Sequence, residues 1–474
     1  MTQQLQTKYF YLICGFFISV NALLLFNEFY LFPLFPLAVL VVILGFLAID
    51  KLLLLIVFCT PLALNIDDVG LGMGISLPTE PLMAGILLLF MLKYLYQGSY
   101  DSRILKHPIS IAIMLNIVWI GLTSITSAMP LVSLKFFISR LWFVVPFYFL
   151  AVLMFKHLSN IKRFMWLFMI PLGGVIVYTV IRMWQMGFEK EFAHWVMQPF
   201  FKDHSVYAAV IAIFMPVLAG FVFYKKYHIN YRVISGLMFL LFSIGMLLSY
   251  TRAAWVSLLA ALGVFVLIYF KIKIRTVVIA FAAAFTLLLY FQEDIFMSLE
   301  KNRQDSSSDI AEHVESISNV ATDASNLERL NRWNCAFKMF MERPVFGWGP
   351  GTYQFQYASF QHSSELTIIS TNAGDVGNAH SEYLGPLAEE GLLGALTFLA
   401  IVIAVFYSAI KLYFRLKDKE LKMLILTIML GLVTYLTHGF LNNFLDVDKA
   451  SVPFWAFVAV IVAVDLRENK ETGD

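Results

Sequence analysis

The sequence predicts an all-α polytopic membrane protein with about 14 transmembrane helices and one long loop on the outer side. Two observations support this fold class. First, apolar residues make up 60% of the 474 residues and charged residues 14%, whereas soluble domains average about 45–50% and about 25%. Second, long apolar runs recur along the chain, and a helix of about 20 such residues crosses a bilayer. Such a composition excludes a disordered or a disulfide-rich secreted chain.

The apolar runs are continuous rather than alternating, so they predict helices and not the strands of a membrane barrel. Net charge is only +2, which gives no indication of a nucleic-acid partner. The predicted spans are 9–27, 31–49, 52–66, 81–97, 108–128, 134–156, 162–184, 204–224, 232–249, 252–270, 275–291, 386–411, 421–440 and 450–466.

Lysine and arginine set the predicted orientation, because short cytoplasmic loops carry an excess of both. If the N-terminus is cytoplasmic and the spans alternate, most of the basic residues fall inside, including the groups within 93–106 and 411–422. Both termini are then predicted to be cytoplasmic.

The same alternation divides the chain into three parts. Membrane helices occupy 1–291, a long outer loop occupies 292–385, and further membrane helices with a cytoplasmic tail occupy 386–474. The loop begins with a Ser- and Asp-rich stretch at 293–323, for which the sequence suggests no role.

The second half of the loop carries two local signals. Ser325 and Glu328 form a capping-box pattern, and the apolar residues that follow have helical spacing, which predicts a helix at about 326–342. Pro344 ends this helix, and a glycine-rich turn follows at 346–353.

Several basic residues lie on the predicted outer side, although most of the basic residues fall on the cytoplasmic side. Arg140, Arg182 and Arg252 lie near the outer ends of predicted spans, with Lys135 close to Arg140 in sequence. One interpretation is that they extend towards the interface. The alternative is an anion site, because arginine offers planar donors suited to phosphate.

His380 is the candidate catalytic residue. Its imidazole is placed just before a span and could act as a general base on a sugar hydroxyl. Glu382, Glu389 or Glu390 could orient it or share the role. The alternative is an ordinary surface-loop histidine. His204 is a candidate substrate-lining residue. The alternative is that this segment has only a structural role, because Asp203 is expected to cap the following helix.

Gly347 and Gly349 belong to the glycine-rich turn. No Gly-Lys-Ser/Thr follows them, so the turn is not a nucleotide-binding loop, and we expect it to shape the backbone near the site. The three cysteines (Cys14, Cys59 and Cys335) form no metal-ligand spacing, and the chain shows no carboxylate-rich metal cluster. The sequence therefore predicts no metal and no cofactor.

These residues together make the chain resemble the O-antigen ligase and polymerase superfamily of bacterial inner-membrane proteins. The similarity rests on Tyr250-Thr-Arg-Ala-Ala-Trp255, on Arg329 to Trp333 with Glu342 to Tyr353, and on His380-Ser381 followed after nine residues by Gly391-Leu-Leu-Gly394.

The resemblance implies a C-type glycosyltransferase-like fold whose active face is periplasmic. It implies transfer of a glycan from a polyprenyl-diphosphate carrier in the membrane lipid to an acceptor hydroxyl, on lipid A core or on a growing glycan. It further implies His380 as base, Arg252 and Arg140 as diphosphate ligands with Arg182 beside them, and Arg329 as a residue that shapes the site.

The sequence leaves other functions open. Ligase and polymerase are not distinguished, and the oligomeric state is not indicated. A multi-span transporter is an alternative, although ionisable residues are few near the predicted span centres, where a transporter would need them. A non-catalytic partner of a polysaccharide export complex is the third possibility.

Overall fold

The computed structural model describes residues 3–27, 35–66, 75–98, 100–273, 324–361 and 377–472, with isolated positions between 275 and 286. The predicted span at 275–291 and the Ser- and Asp-rich stretch at 293–323 lie outside the described residues, apart from those positions. The chain divides into two compact units, Met1–Leu55 and Ile56–Asp474. All candidate site residues belong to the second unit.

Helices dominate the described residues. The helices of the first half are α1 (Gln3–Phe26), α2 (Phe35–Leu47), α3 (Ile49–Cys59), α4 (Thr79–Gln97), α5 (Ser102–Leu105), α6 (Pro108–Ile125), α7 (Pro130–Val144), α8 (Ala151–Phe155), α9 (Ser159–Gln185), α10 (His204–Phe223), α11 (Ile229–Leu248) and α12 (Arg252–Tyr269). The later helices are α13 (Ala324–Glu342), α14 (Tyr353–Gln356), α15 (Leu384–Arg415), α16 (Lys419–His438) and α17 (Asp448–Thr472).

The protein is an all-α polytopic membrane protein. Among the residues that the structure describes, eleven helices are long and apolar enough to cross a membrane. They correspond to eleven of the predicted spans. The predicted span at 31–49 contains α2, whose 13 residues are shorter than such a crossing needs.

The predicted span at 52–66 differs from the structure. Helix α3 ends at Cys59, and a single 3₁₀ turn at Thr60–Leu62 contains Pro61, which has no N–H to continue a helix. Strand β1 (Leu64–Ile66) then pairs antiparallel with β2 (Ile75–Leu77), so this apolar run turns into a hairpin.

The predicted span at 134–156 is one continuous helical segment with a changed pitch. Between α7 and α8, residues Val145–Leu150 form a π-helical turn that contains Pro146. Proline removes one backbone donor, and wider helical turns commonly accommodate such a break.

Helices α10, α16 and α17 form the centre of the second unit, and most of the residues in their spans are buried. Helix α10 packs against both α11 and α16. A side chain at Gly431 of α16 would meet the carbonyl of Ile213 on α10 at 2.5 Å. Small residues allow membrane helices this close approach.

This packing brings several helix ends to one side of the membrane segment. His204 begins α10, Arg252 begins α12, His438 ends α16, and Leu384 begins α15. The candidate site is built from these ends and from α13.

Candidate functional site

His380 occupies a strained turn just before α15. Its backbone φ is +49°, a left-handed conformation that costs a non-glycine residue about 1–3 kcal/mol and that clusters at functional sites. Its N–H donates to Oδ1 of Asn378 at 3.0 Å. Ser381 Oγ then accepts from the N–H groups of Tyr383 and Leu384, which satisfies the start of α15.

Arg332 of α13 holds this turn in place. Its Nη1 donates to the carbonyl of Asn378 at 3.0 Å, and its Nε donates to Glu328 at 2.9 Å. The side chains of Arg332 and Glu328 are only 6% and 5% exposed. A Cβ on Gly377 would overlap the Arg332 guanidinium. The sequence patterns gave Arg332 no individual role.

Burial, followed by the nearby positive charges of Arg332 and Arg329, lowers the pKa of His380 to about 4. The side chain of Asn442 opposes this shift. The imidazole is therefore neutral at neutral pH, which is the form that can accept a proton.

Five cationic or imidazole side chains lie close together here: His204, Arg252, Arg329, His380 and His438. We call them the basic cluster. Arg329 is the central member of the cluster, because its positive charge acts on His204, His380 and His438. Burial, followed by the charge of Arg252, lowers the pKa of Arg329 itself.

The backbone around the basic cluster is interlinked. Arg329 Nε donates to the carbonyl of Leu441 at 3.3 Å. Thr251, directly before Arg252, donates from Oγ1 to the carbonyl of His204 at 3.3 Å. The ring of His204 contacts that of His194, with 3.2 Å between their Nδ1 atoms. Asp203 caps α10 by accepting from Ser205 and Val206, as predicted.

His438 is a member of the cluster that the sequence analysis missed. It is buried, and neither ring nitrogen makes a hydrogen bond to any residue that the structure describes. Its signal was present, because it is an ionisable residue inside the predicted span 421–440, and such residues are rare unless they face a cavity or a partner.

The comparison with known proteins bears directly on this cluster. Residues 237–399 match the family described as O-antigen ligase. This match supports the resemblance to the O-antigen ligase and polymerase superfamily. The matched segment contains Arg252, Arg329 and His380, and it supports a glycosyltransferase-like function of ligase or polymerase type that acts on lipid-linked glycans.

One curated relative is a protein of Haemophilus influenzae (strain ATCC 51907 / DSM 11121 / KW20 / Rd) described as an uncharacterized protein. It is 25% identical over 308 residues, which are 64% of this chain and 71% of the relative. This similarity extends well beyond the matched ligase segment and assigns no donor or acceptor.

Glu382 does not reach towards His380 as expected. Its Oε1 accepts from Tyr435 Oη, from the N–H of Phe444 at 2.7 Å and from the N–H of Leu445 at 2.9 Å. Burial, with Asp446 adding to it, raises the pKa of Glu382. Glu382 therefore fixes the segment 439–447, which we call the α16–α17 loop.

Arg140 supports the same loop from another side. Its Nη2 pairs with Asp446 at 3.1 Å, and its Nη1 donates to the carbonyl of Leu445 at 3.4 Å. The Arg140 side chain is 13% exposed and that of Asp446 is 41% exposed. These contacts use the guanidinium to position the loop that carries Asn442, so they do not favour the expected role in diphosphate binding.

Arg182 also has a different role from the one expected. Its Nη1 donates to the carbonyls of Gln198 at 2.7 Å and Val196 at 3.0 Å. Its guanidinium lies over the rings of Tyr178 and Trp195. Arg182 thus anchors the segment before α10, and we do not propose it as a diphosphate ligand.

The glycine-rich turn joins the loop region to the start of α15. The N–H of Gly349 donates to the carbonyl of Glu389 at 2.7 Å, and the N–H of Trp348 donates to that of Ala388 at 3.2 Å. Gly347 has φ +66°, and a Cβ there would lie 2.3 Å from the backbone of Glu389. The turn and the helix therefore touch backbone to backbone.

Proposed function

We propose that this protein transfers an oligo- or polysaccharide from a polyprenyl-diphosphate carrier to an acceptor hydroxyl at the periplasmic face of the bacterial inner membrane. The observation that carries the proposal is that Arg252, Arg329 and His380, which are far apart in sequence, belong to one basic cluster at the end of the membrane helices. All three lie in the segment that matches the O-antigen ligase family.

The two arginines suit a diphosphate. Two neighbouring guanidinium groups create a positive potential that attracts an anion. Arg252 and Arg329 are such a pair, since the charge of Arg252 acts on Arg329. Each guanidinium can donate two parallel hydrogen bonds to phosphate oxygens, so a bound diphosphate would relieve their repulsion.

In the proposed reaction the acceptor oxygen attacks the anomeric carbon of the donor sugar. His380 takes the hydroxyl proton as the new carbon–oxygen bond forms. The bond between the anomeric carbon and the diphosphate oxygen breaks, and its electron pair leaves with the diphosphate. Arg252 and Arg329 stabilise the charge on that leaving group.

Binding of the diphosphate-linked donor would also make His380 a stronger base. In the free site burial, followed by the charges of Arg332 and Arg329, lowers the pKa of His380 to about 4, which makes the imidazole a weak proton acceptor. A diphosphate bound by Arg252 and Arg329 would bring negative charge near His380, and nearby negative charge raises the pKa of a histidine. His380 would therefore become more basic only when the donor is present.

The test is the glycan and lipid profile of a deletion strain complemented with wild type, His380→Ala or His157→Ala. His157 is an exposed loop histidine and serves as the matched control. We expect His380→Ala to reproduce the deletion at normal expression and His157→Ala to restore wild-type product, because only His380 lies in the cluster.

The profile also separates the two family activities. Long polymer on the polyprenyl carrier with a bare lipid A core indicates a ligase, and single repeat units on carrier or core indicate a polymerase. Normal product from a normally expressed His380→Ala protein would overturn the catalytic role of His380.

A further inference from the structure

A polar cavity lies at the other end of α15, away from His380. Its volume is about 420 Å³, and its lining includes Arg103, Lys106, Lys411, Arg415 and Lys470. Lys411 is 27 residues beyond Leu384 on this helix, about 40 Å at 1.5 Å per residue. The cavity therefore cannot be part of the basic cluster.

The cavity carries an excess of positive charge. Its lining carboxylate, Asp465, already accepts from Arg415 Nη2 at 2.6 Å and contacts His107 Nε2 at 3.2 Å. Among the residues that the structure describes, no carboxylate pairs with Lys106, Lys411 or Lys470.

Arg415 also has fewer acceptors among the described residues than its guanidinium has donors. Its Nη1 donates to Asn469 and its Nη2 to Asp465. Its Nε is buried and has no hydrogen-bond partner among the described residues. A buried unpaired donor is unfavourable, so the described residues leave part of the donor capacity of this guanidinium unused.

The start of α6 adds to the positive potential. This 18-residue helix begins at Pro108, which lines the cavity, and His107 caps it by accepting from the N–H of Ile109. The positive end of a helix dipole favours an anion. The hydroxyls of Tyr407 and Ser408 line the same cavity.

One wall of the cavity continues into an apolar surface. Tyr407 lines the cavity and is 64% exposed, and Ile403, Ile410 and Phe414 are exposed at helical spacing on the same face of α15. A lipid whose head group enters the cavity could lay its acyl chains on this face. Basic pockets between membrane helices commonly bind anionic head groups.

We propose that this cavity binds a phosphate group, carried by an anionic phospholipid of the leaflet opposite to the transfer site. In the predicted topology that leaflet is cytoplasmic. The proposal goes beyond glycan transfer, because it concerns a different cavity and a different ligand.

The experiment measures lipid retention by the purified full-length protein in detergent. The probes are phosphatidylglycerol, phosphatidylcholine and inorganic phosphate, each followed by native mass spectrometry. The test variant is Lys106→Gln/Lys411→Gln, and the matched control is Lys225→Gln/Lys226→Gln. All four lysines are exposed, so these changes leave the packed interior intact.

We expect the wild type to retain phosphatidylglycerol in preference to phosphatidylcholine. Loss of two lysines should weaken that retention about tenfold or more, and the control pair should behave as wild type. If inorganic phosphate binds the wild type and displaces the lipid at equal concentration, the source is free phosphate instead.

The proposal is overturned if the test variant retains phosphatidylglycerol as well as wild type does. It is also overturned if the control pair loses as much retention as the test pair, because the effect would then be general surface charge. If the double variant unfolds, Lys411→Gln alone gives the same comparison. Since the readout is lipid binding, the outcome is independent of whether the protein transfers glycan.

Discussion

His380 combines a left-handed backbone with an imidazole whose pKa is lowered to about 4 by burial and by two arginines. An ordinary histidine changes charge near pH 6.5. The neutral form of His380 in the free enzyme therefore persists well below that pH. Its protonation state should depend strongly on whether an anion occupies the site.

The lowered pKa of His380 predicts how transfer in proteoliposomes depends on pH. The profile of kcat/KM reports the free enzyme, so it should lack an acid limb near pH 6.5 and fall only towards about pH 4. The profile of kcat reports the donor complex, and its acid limb should lie at higher pH. A kcat/KM limb centred near 6.5 would contradict the buried, arginine-flanked state of His380.

Arg252 provides a second test at the same scale. We expect Arg252→Lys to lower the transfer rate about tenfold to a hundredfold, because lysine keeps the charge but loses the bidentate geometry on phosphate. The rate would be measured in the same proteoliposomes, with Arg343→Lys as control. Arg343 is exposed and stacks on Trp348 outside the basic cluster. Full activity in Arg252→Lys would show that charge alone suffices.

At the scale of elements, the glycine-rich turn fixes α13 and the loop region to α15. The contact coincides with an irregularity in α15 itself, where Gly391 has φ +71° and a Cβ would lie 2.3 Å from the carbonyl oxygen of Val345. The backbone of Leu392 donates to Pro344 at this point.

We expect Gly349→Ala to destabilise the protein by about 1–3 kcal/mol or more. Its φ is +113°, and a Cβ would overlap Ser127 Oγ. The melting temperature of the purified protein measures this effect. Gly174→Ala in α9, where a Cβ meets nothing within 4 Å, is the control and should be neutral or slightly stabilising. Equal melting temperatures would show that the turn is not constrained.

The α16–α17 loop is held by two residues for which the sequence predicted roles in catalysis or substrate binding. Glu382 binds its backbone at Phe444 and Leu445, and Arg140 binds Asp446. These contacts place the loop residue Asn442 beside His380. Two expected site residues thus act as positioning residues.

At the scale of the whole molecule, the predicted orientation places the basic cluster and the cavity at the other end of α15 on opposite sides of the membrane. We test this by replacing Cys14, Cys59 and Cys335 with Ala and introducing single cysteines at His157 or Met341. Both positions are exposed, Met341 by 77%.

A membrane-impermeant maleimide applied to intact spheroplasts should label the cysteine at 341 and should label that at 157 only after permeabilisation. The reason is the bias of basic residues towards the cytoplasm. Labelling in the reverse order would invert the predicted topology and move the transfer site to the cytoplasmic face.

The sequence alone determined that the chain spans a membrane many times as helices, because hydropathy is a local property that each segment carries by itself. It also pointed to Arg252, Arg329 and His380, since these belong to sequence patterns that resemble a known family. The sequence did not predict the hairpin of β1 and β2, because Leu64 and Ile66 are as apolar as residues of a membrane span.

Only the tertiary structure decided which polar residues meet. It places His438 within reach of the charge of Arg329, and it shows that Arg332 donates to the carbonyl of Asn378 in the His380 turn. It assigned Arg140 and Arg182 to loop support. The physical reason is that the role of a charged side chain depends on its burial and on its nearest partners, and both arise from the convergence of distant helix ends.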